Sequence, residues 1–274
     1  MKVLIHNTAF FKNIIESVKD LVQKGTLVFK KSPGGSENPT GPGGSENPEN
    51  GLVLETLDIS SVSLCKLVLR PEFFQLYEVE RDISIGLSFT ELAKILKCID
   101  STDQIELSHD DSKDELVIIS SKADSKKRKS KFTLSLLNID SDPLSIPELE
   151  PDCSFVCNSK EFKTITSGLS EFGEDCIFSI KKDQNNNSNF DLVLKSKSTL
   201  SKSLAEYNIN SLEQLKSTKN QIRIIFSLLY LVSFNKCSGL CDKVKVEIFE
   251  DQPMNMLFNF EHGYIRHYLA PKSE

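Results

Sequence analysis

The sequence predicts an α+β chain made of two similar domains. Three observations carry that prediction. Four segments repeat apolar residues at helical spacing. The stretches between them alternate apolar and polar residues, as half-buried strands do. The order helix, strands, helix, strands occurs before about residue 136 and again after about residue 152. The two halves share little residue identity but the same succession of elements, as two copies of one domain would.

The first helix is expected over Phe10–Val22. Phe11, Ile14, Ile15, Val18, Leu21 and Val22 fall on one face, with Lys12, Glu16 and Lys19 on the other. The second is expected over Phe89–Ile99. Leu92, Ile95, Leu96 and Ile99 make its buried stripe, while Glu91, Lys94 and Lys97 face away. Ser88 and Glu91 have the spacing of a capping box. The third is expected over Lys160–Phe172, with Phe162, Ile165, Leu169 and Phe172 inside and Lys163, Thr164 and Ser167 outside. Ser159 is its expected cap, since a serine oxygen can accept a bond from an orphan backbone N–H. The fourth is expected over Leu228–Lys236, with Ser233 and Lys236 among its outer residues.

Between the helices the chain reads as strands. Val62–Leu69 alternates in part. Gln104–Leu107 and Glu115–Ile119 are expected to form a hairpin, as are Ile177–Ile180 and Phe190–Leu194 across the Asn-rich turn Asp183–Asn189. Lys243–Phe249 and Met256–Phe260 repeat the pattern near the end. The run Pro-Gly-Gly-Ser-Glu-Asn-Pro occurs at Pro33–Pro39 and again at Pro42–Pro48. Proline and glycine at that density oppose regular structure, and few apolar side chains are there to dock it. Residues 32–50 are therefore expected to be a mobile insertion between two β-runs. A second proline-rich and acidic stretch, residues 136–152, reads as an interdomain connector. The expected limits are 1–135 for the first domain and 153–274 for the second.

At 274 residues and 39% hydrophobic content, the chain can bury a sizeable core. No apolar run reaches the ~18 residues of a membrane helix, and the apolar start of the chain is too short for a signal peptide. The seven cysteines are an odd number and widely spread, which argues for a reducing compartment over a disulfide framework. A soluble, intracellular protein is expected, with no membrane partner. The net charge of −6 opposes nucleic-acid binding unless the basic residues gather on one surface.

Motif searches give no catalytic constellation. There is no phosphate-binding glycine loop, no HExxH and no GxSxG. Cys237 and Cys241 with His262 and His267 lack the spacing of a zinc ribbon. Buried thiols and exposed histidines in a terminal hairpin are the expected alternative. The chain is therefore expected to be no enzyme, with no cofactor and no metal. The positive signal is lysine. Lys12 and Lys19 lie seven apart, and Lys94 and Lys97 three apart, so each pair shares a helix side. Lys163 and Lys236 add one each from the second half. If the four helices lie side by side, their common surface is basic. Otherwise these are ordinary solvated helix faces. The run Lys126-Lys127-Arg128-Lys129, followed by Lys131, reads either as a localisation or DNA-contacting patch or as a solvated loop.

Specific residues then resemble one family. Asp58-Ile59-Ser60-Ser61-Val62-Ser63-Leu64, continuing to Leu67-Val68-Leu69-Arg70 and Tyr77, is similar to the second β-region of the eukaryotic DNA sliding clamps, the proliferating cell nuclear antigen family. Lys94-Ile95-Leu96-Lys97-Cys98 resembles its second helix. Ile146-Pro147-Glu148 falls where its connector ends, and Tyr268-Leu269-Ala270-Pro271-Lys272 resembles its C-terminal signature. The four matches occur in order across nearly the whole chain.

The resemblance implies helices lining the inner face of a ring, sheets outside, and three subunits closed head to tail through heterologous contacts. Candidate edge strands for that contact are Arg128–Leu136 and Thr199–Tyr207. It implies double-stranded DNA in the bore, held without sequence preference by Lys12, Lys19, Lys94, Lys97, Lys163 and Lys236. It implies nuclear replication and repair, with polymerases, a clamp loader and repair proteins docking through short hydrophobic or aromatic motifs. The family's peptide pocket maps to Leu57, Val62, Leu64, Leu144, Ile146, Pro253, Tyr268, Ala270 and Pro271. Thr164, Ser167 and Leu229 depart from the basic residues common in the family. Ser61 stands where many members carry His, and Pro151 where many carry Tyr. Two alternatives remain: a subunit of a heterotrimeric checkpoint clamp, and an enzyme with an unrecognised site.

Overall fold

The computed structural model describes residues 1–31, 50–122, 129–139, 149–182, 190–197, 204–208 and 212–272. The expected insertion, apart from Asn50, lies outside the described residues, as do the Asn-rich turn and Lys126, Lys127 and Arg128 of the basic run. The chain divides into two compact units. One comprises Met1–Thr56, Lys66–Asp142 and Glu261–Tyr264; the other comprises Leu57–Cys65, Pro143–Phe260 and Ile265–Glu274.

The first unit runs β1 (Lys2–Ile5), α1 (Thr8–Val18), β2 (Lys24–Phe29), β3 (Leu52–Leu57, of which Leu57 belongs to the other unit), β4 (Ser63–Leu69, of which Ser63–Cys65 belong to the other unit), β5 (Leu76–Glu78), β6 (Ile83–Ser88), α2 (Phe89–Lys97), β7 (Asp103–His109), β8 (Glu115–Lys122) and β9 (Lys129–Ser135). One sheet has the order β5-β1-β7-β8-β9, and β6, β2 and β3 are neighbours in another. The expected hairpin is present, with Leu107 opposite Ile118 in the antiparallel β7–β8 ladder. Ile105, Leu107, Leu116 and Ile118 alternate into the core, because successive strand side chains point to opposite faces. The helices α1 and α2 pack on each other and close this core with Phe11, Ile14, Ile15, Val18, Phe89, Leu92 and Leu96.

The second unit runs β10 (Cys153–Asn158), α3 (Ser159–Ser170), β11 (Asp175–Lys182), β12 (Phe190–Lys197), β13 (Leu204–Asn208), β14 (Glu213–Ser217), β15 (Gln221–Ser227), α4 (Leu228–Phe234), β16 (Lys243–Ile248), β17 (Met254–Phe260) and β18 (Gly263–Leu269). Its sheets carry the orders β13-β12-β11-β15 and β14-β10-β16-β17-β18. Phe155, Phe162, Phe178, Phe226, Phe234 and Phe258 are fully buried within it. Removing one such ring costs about 3–5 kcal/mol.

α2, α3 and α4 follow directly on β6, β10 and β15, and α1 begins after the two residues His6 and Asn7 that follow β1. Asn7, Ser88 and Asn158 each cap the following helix through the side chain. The Ser88 hydroxyl accepts from the Glu91 N–H at 3.3 Å, as the sequence spacing predicts. The cap of α3 is Asn158 and not Ser159. Asn158 Oδ1 accepts from the N–H groups of both Lys160 and Glu161 at 3.0 Å. Ser159 is buried and donates to the Cys241 carbonyl at 2.5 Å. Three further expectations are corrected. The first helix ends at Val18, so Lys19 is its C-cap. The third ends at Ser170, leaving Phe172 39% exposed. The fourth ends at Phe234, and Lys236 sits on the 3-10 turn Asn235–Gly239.

Gly86 in β6 meets the chain that leaves β9. The Leu137 N–H donates to the Gly86 carbonyl at 2.8 Å. A Cβ on Gly86 would lie 2.1 Å from the Leu137 carbonyl oxygen. Only a residue without a side chain permits that approach. The strands β9 and β13 each stand at the edge of their sheet, as expected from Arg128–Leu136 and Thr199–Tyr207.

Candidate functional site

The lysine-bearing face of the first unit is built by α1 and α2. Burial of Phe11, Ile14, Ile15 and Val18 turns Glu16 outward, and burial of Leu92, Ala93 and Leu96 turns Glu91, Lys94 and Lys97 outward. The lysines are engaged by the protein itself. Lys12 Nζ donates to the Ile99 carbonyl beyond the end of α2 at 2.8 Å. Lys19 Nζ lies 2.5 Å from Glu16 Oε1, and Lys97 Nζ lies 3.8 Å from the same oxygen. Lys94 Nζ lies 2.7 Å from Glu91 Oε1. The Glu16 carboxylate beside it raises the Lys19 ammonium above its ordinary value. The face is thus a lysine cluster with its own carboxylates interleaved, as the helical spacing of Glu16 and Glu91 predicts, and the Glu16–Lys97 approach between α1 and α2 is what the spacing did not announce.

In the second unit, Lys163 and Thr164 are exposed on α3, with Ser167 half-buried beside them. Leu229 stands out on α4 at 73% exposure. Lys236 is exposed on the following turn. An apolar side chain at that position adds no charge for a phosphate to meet.

Of the residues expected to form a peptide pocket, Leu144 and Ile146 lie outside the described residues. The remaining seven belong to the second unit. Leu57 and Val62 are 41% and 37% exposed, Pro253 is exposed, and Tyr268, Ala270 and Pro271 are half-buried. Leu64 is buried, at 6% exposure.

A tight turn sets the shape of this region. Asp58 accepts from the N–H groups of Ser60, Val62 and Ser63 at 3.0, 2.9 and 2.6 Å. It also accepts from the Tyr230 hydroxyl at 2.8 Å. Partial burial raises its carboxyl, but these four donors outweigh that and hold it below the ordinary value. Ser61 adopts a left-handed φ of 56° within the turn. Ile59 is left 81% exposed at its tip. The C-terminal run is pinned beside it: the Ala270 N–H donates to the Val62 carbonyl at 3.0 Å, and the Lys272 N–H to the Ile225 carbonyl at 2.8 Å. Lys272 also pairs with Asp175.

Residues 45–143 match the model of the proliferating cell nuclear antigen N-terminal domain, and residues 145–273 match that of its C-terminal domain. The chain belongs to the proliferating cell nuclear antigen family. Proliferating cell nuclear antigen 2 of Drosophila melanogaster is 27% identical over 99% of this chain and 97% of its own length. Proliferating cell nuclear antigen of Chaetomium thermophilum is 28% identical over 99% of this chain and 98% of its own. Both relatives include the stretch holding α1, which precedes the N-terminal family match. Membership supports the sliding-clamp reading of the sequence, and proteins of this family are non-catalytic clamps.

His267 is not at an exposed position: it is fully buried, stacked on Phe234 at 4.3 Å between ring centroids, with Nε2 3.5 Å from Cys237 Sγ. Burial pushes its imidazole down to about 3. Cys241, only half-buried, donates to the Lys243 carbonyl at 3.1 Å. Among the described residues, no group of three or more potential ligands is placed to hold a metal ion. Sequence reasoning names Glu16 and Ile59 without a functional role and does not name Tyr230. Tyr230 and Asp58 are 172 positions apart, and no local pattern marks such a pair.

Proposed function

We propose that this chain is one subunit of a homotrimeric, nuclear DNA sliding clamp that encircles duplex DNA and tethers replicative polymerases, a clamp loader and repair proteins. The observation that carries this reading is the lysine face formed by α1 and α2 in a chain of net charge −6. Lys12, Lys19, Lys94 and Lys97, with Lys163 and Lys236, are assigned to phosphate contacts. Flexible ammonium groups meet phosphates of any sequence, so they bind without base readout and let a ring move. Enclosure retains the ring on DNA, and the lysines keep the duplex from resting on bare protein. Residues 1–135 and 153–274 are proposed as the two repeated domains, joined by 136–152. The strands β9 and β13 are proposed to pair between subunits, which would cover both edges.

The Asp58 turn and the C-terminal run Tyr268–Lys272 are assigned to partner docking. Leu57, Val62, Pro253, Ala270 and Pro271 offer apolar surface, and an inserted aromatic side chain is the favoured anchor for such a surface. Leu144 and Ile146 are assigned to the same pocket on the resemblance alone.

The mass in solution tests the assembly: a value of three chains is expected, and a monomer at micromolar concentration would contradict the reading. A peptide bearing a glutamine and two aromatic residues is expected to bind, and Tyr230→Phe, which frees Asp58 of one donor, to weaken it. Co-purification with two different chains in equal amounts would instead favour a heterotrimeric checkpoint clamp.

A further inference from the structure

Glu16 stands between two lysines that belong to different helices. Its Oε1 lies 2.5 Å from Lys19 Nζ at the end of α1 and 3.8 Å from Lys97 Nζ at the end of α2. The two cations converge on one carboxylate oxygen, as they would on one phosphate oxygen. Lys19 is largely covered, with a side chain 19% exposed, whereas Glu16 is 49% and Lys97 65% exposed. Within the close Lys19–Glu16 pair the carboxylate is the more exposed partner, and a swing of its side chain would release both ammoniums.

We propose that Glu16 is an internal stand-in for a DNA phosphate, a positioning residue that holds Lys19 and Lys97 together and competes with the duplex for them. The inference rests on the DNA-clamp reading above. Each phosphate that meets this pair must first displace Glu16, so the wild-type face grips less strongly than its lysine count implies. For a ring that must travel, a grip weakened at each step favours movement over residence. Glu91 holds Lys94 in the same way at 2.7 Å, but within one helix, so it does not join two elements.

The competition makes Glu16→Asp the informative variant. It keeps the charge but shortens the side chain by one methylene, so the bridge between Lys19 and Lys97 is strained while the net charge is unchanged. Glu16→Gln removes charge and bridge together. Glu72→Gln, an exposed acid of the same unit beside the start of α1, at the opposite end of that helix from Lys19, removes charge alone.

Anisotropy of a labelled linear duplex, which a ring can thread at its ends, measures the affinity across a series of low salt concentrations. Glu16→Gln is expected to tighten binding about two- to fivefold, the scale of one exposed ion pair. Its salt dependence should steepen by about one to two units of slope as two more ammoniums neutralise phosphates. Glu16→Asp should show part of that gain, and Glu72→Gln none. If Glu16→Asp behaves as wild type while Glu16→Gln matches Glu72→Gln, net charge explains everything and the proposal is overturned. No change in any variant overturns it too. The double variant Lys94→Glu, Lys97→Glu separates the two levels. If it weakens binding while the Glu16 variants do nothing, only this inference fails; if it leaves binding intact, the DNA reading fails and takes the inference with it.

Discussion

The outer helix faces of the two units differ more than their inner faces do. In the first unit, Lys12, Lys19, Lys94 and Lys97 crowd onto α1 and α2, with Glu16 and Glu91 among them. In the second, Lys163 and Lys236 share their faces with Thr164, Ser167 and a Leu229 side chain that is 73% exposed. The inner faces follow one plan: a strand runs into a helix, and aromatic and aliphatic side chains close the core. Folding demands the inner plan and is nearly indifferent to the outer one. The difference therefore points to an unequal division of electrostatic work between the units.

The largest effect should come from reversing charge in the first unit. Lys94→Glu with Lys97→Glu is expected to lower duplex affinity on the order of a hundredfold at low salt, since two phosphate contacts become repulsions. Lys163→Glu with Lys236→Glu should cost clearly less. Equal losses, read by anisotropy or by polymerase processivity, would break the comparison.

Acid should separate the units next. His267 is buried and neutral in the second unit, with its imidazole pushed down to about 3, whereas His6, His109 and His262 of the first unit are not buried. A group whose folded value is depressed takes up a proton on unfolding. Stability is therefore lost as pH falls from the unfolded value of about 6.5 toward 3, at about 1.4 kcal/mol per pH unit. Asp58, also held low, acts with the same sign at the acid end. Hydrogen exchange on acidification should find the second unit opening first, and His267→Phe should flatten its slope. Protection lost equally in both units would count against the assignment.

The caps give a smaller contrast. Asn158→Ala removes the acceptor of two N–H groups and should cost about 1–2 kcal/mol, whereas Ser88→Ala should cost about 0.5 kcal/mol because its one bond is long. Chemical denaturation resolves that difference. The smallest effect is a gain. Leu229→Arg should tighten duplex binding about twofold and steepen the salt slope by about one. No gain would place α4 away from the duplex.

Much of this was legible in the sequence. Most of the apolar stripes of the first three helices, the Ser88 cap and the β7–β8 hairpin follow from local periodicity, which depends on neighbours within a few residues. The errors came where two local signals competed. Asn and Ser are both good cap residues, and the Ser159 hydroxyl, turned inward to the Cys241 carbonyl, leaves the role to Asn158. His267 was placed outside, although it shares strand parity with the buried Ile265 and Leu269. Contacts between distant segments left no local mark. Glu16 reaching Lys97 and Tyr230 reaching Asp58 depend on how helices and turns meet in space.

The meeting of Gly86 with Leu137 carries a consequence for inheritance. A carbonyl oxygen fills the space where a β-carbon would sit. Every missense change open to a glycine codon installs such a carbon. Position 86 therefore has no mild allele: each amino-acid replacement must push aside the polypeptide just where it departs from β9.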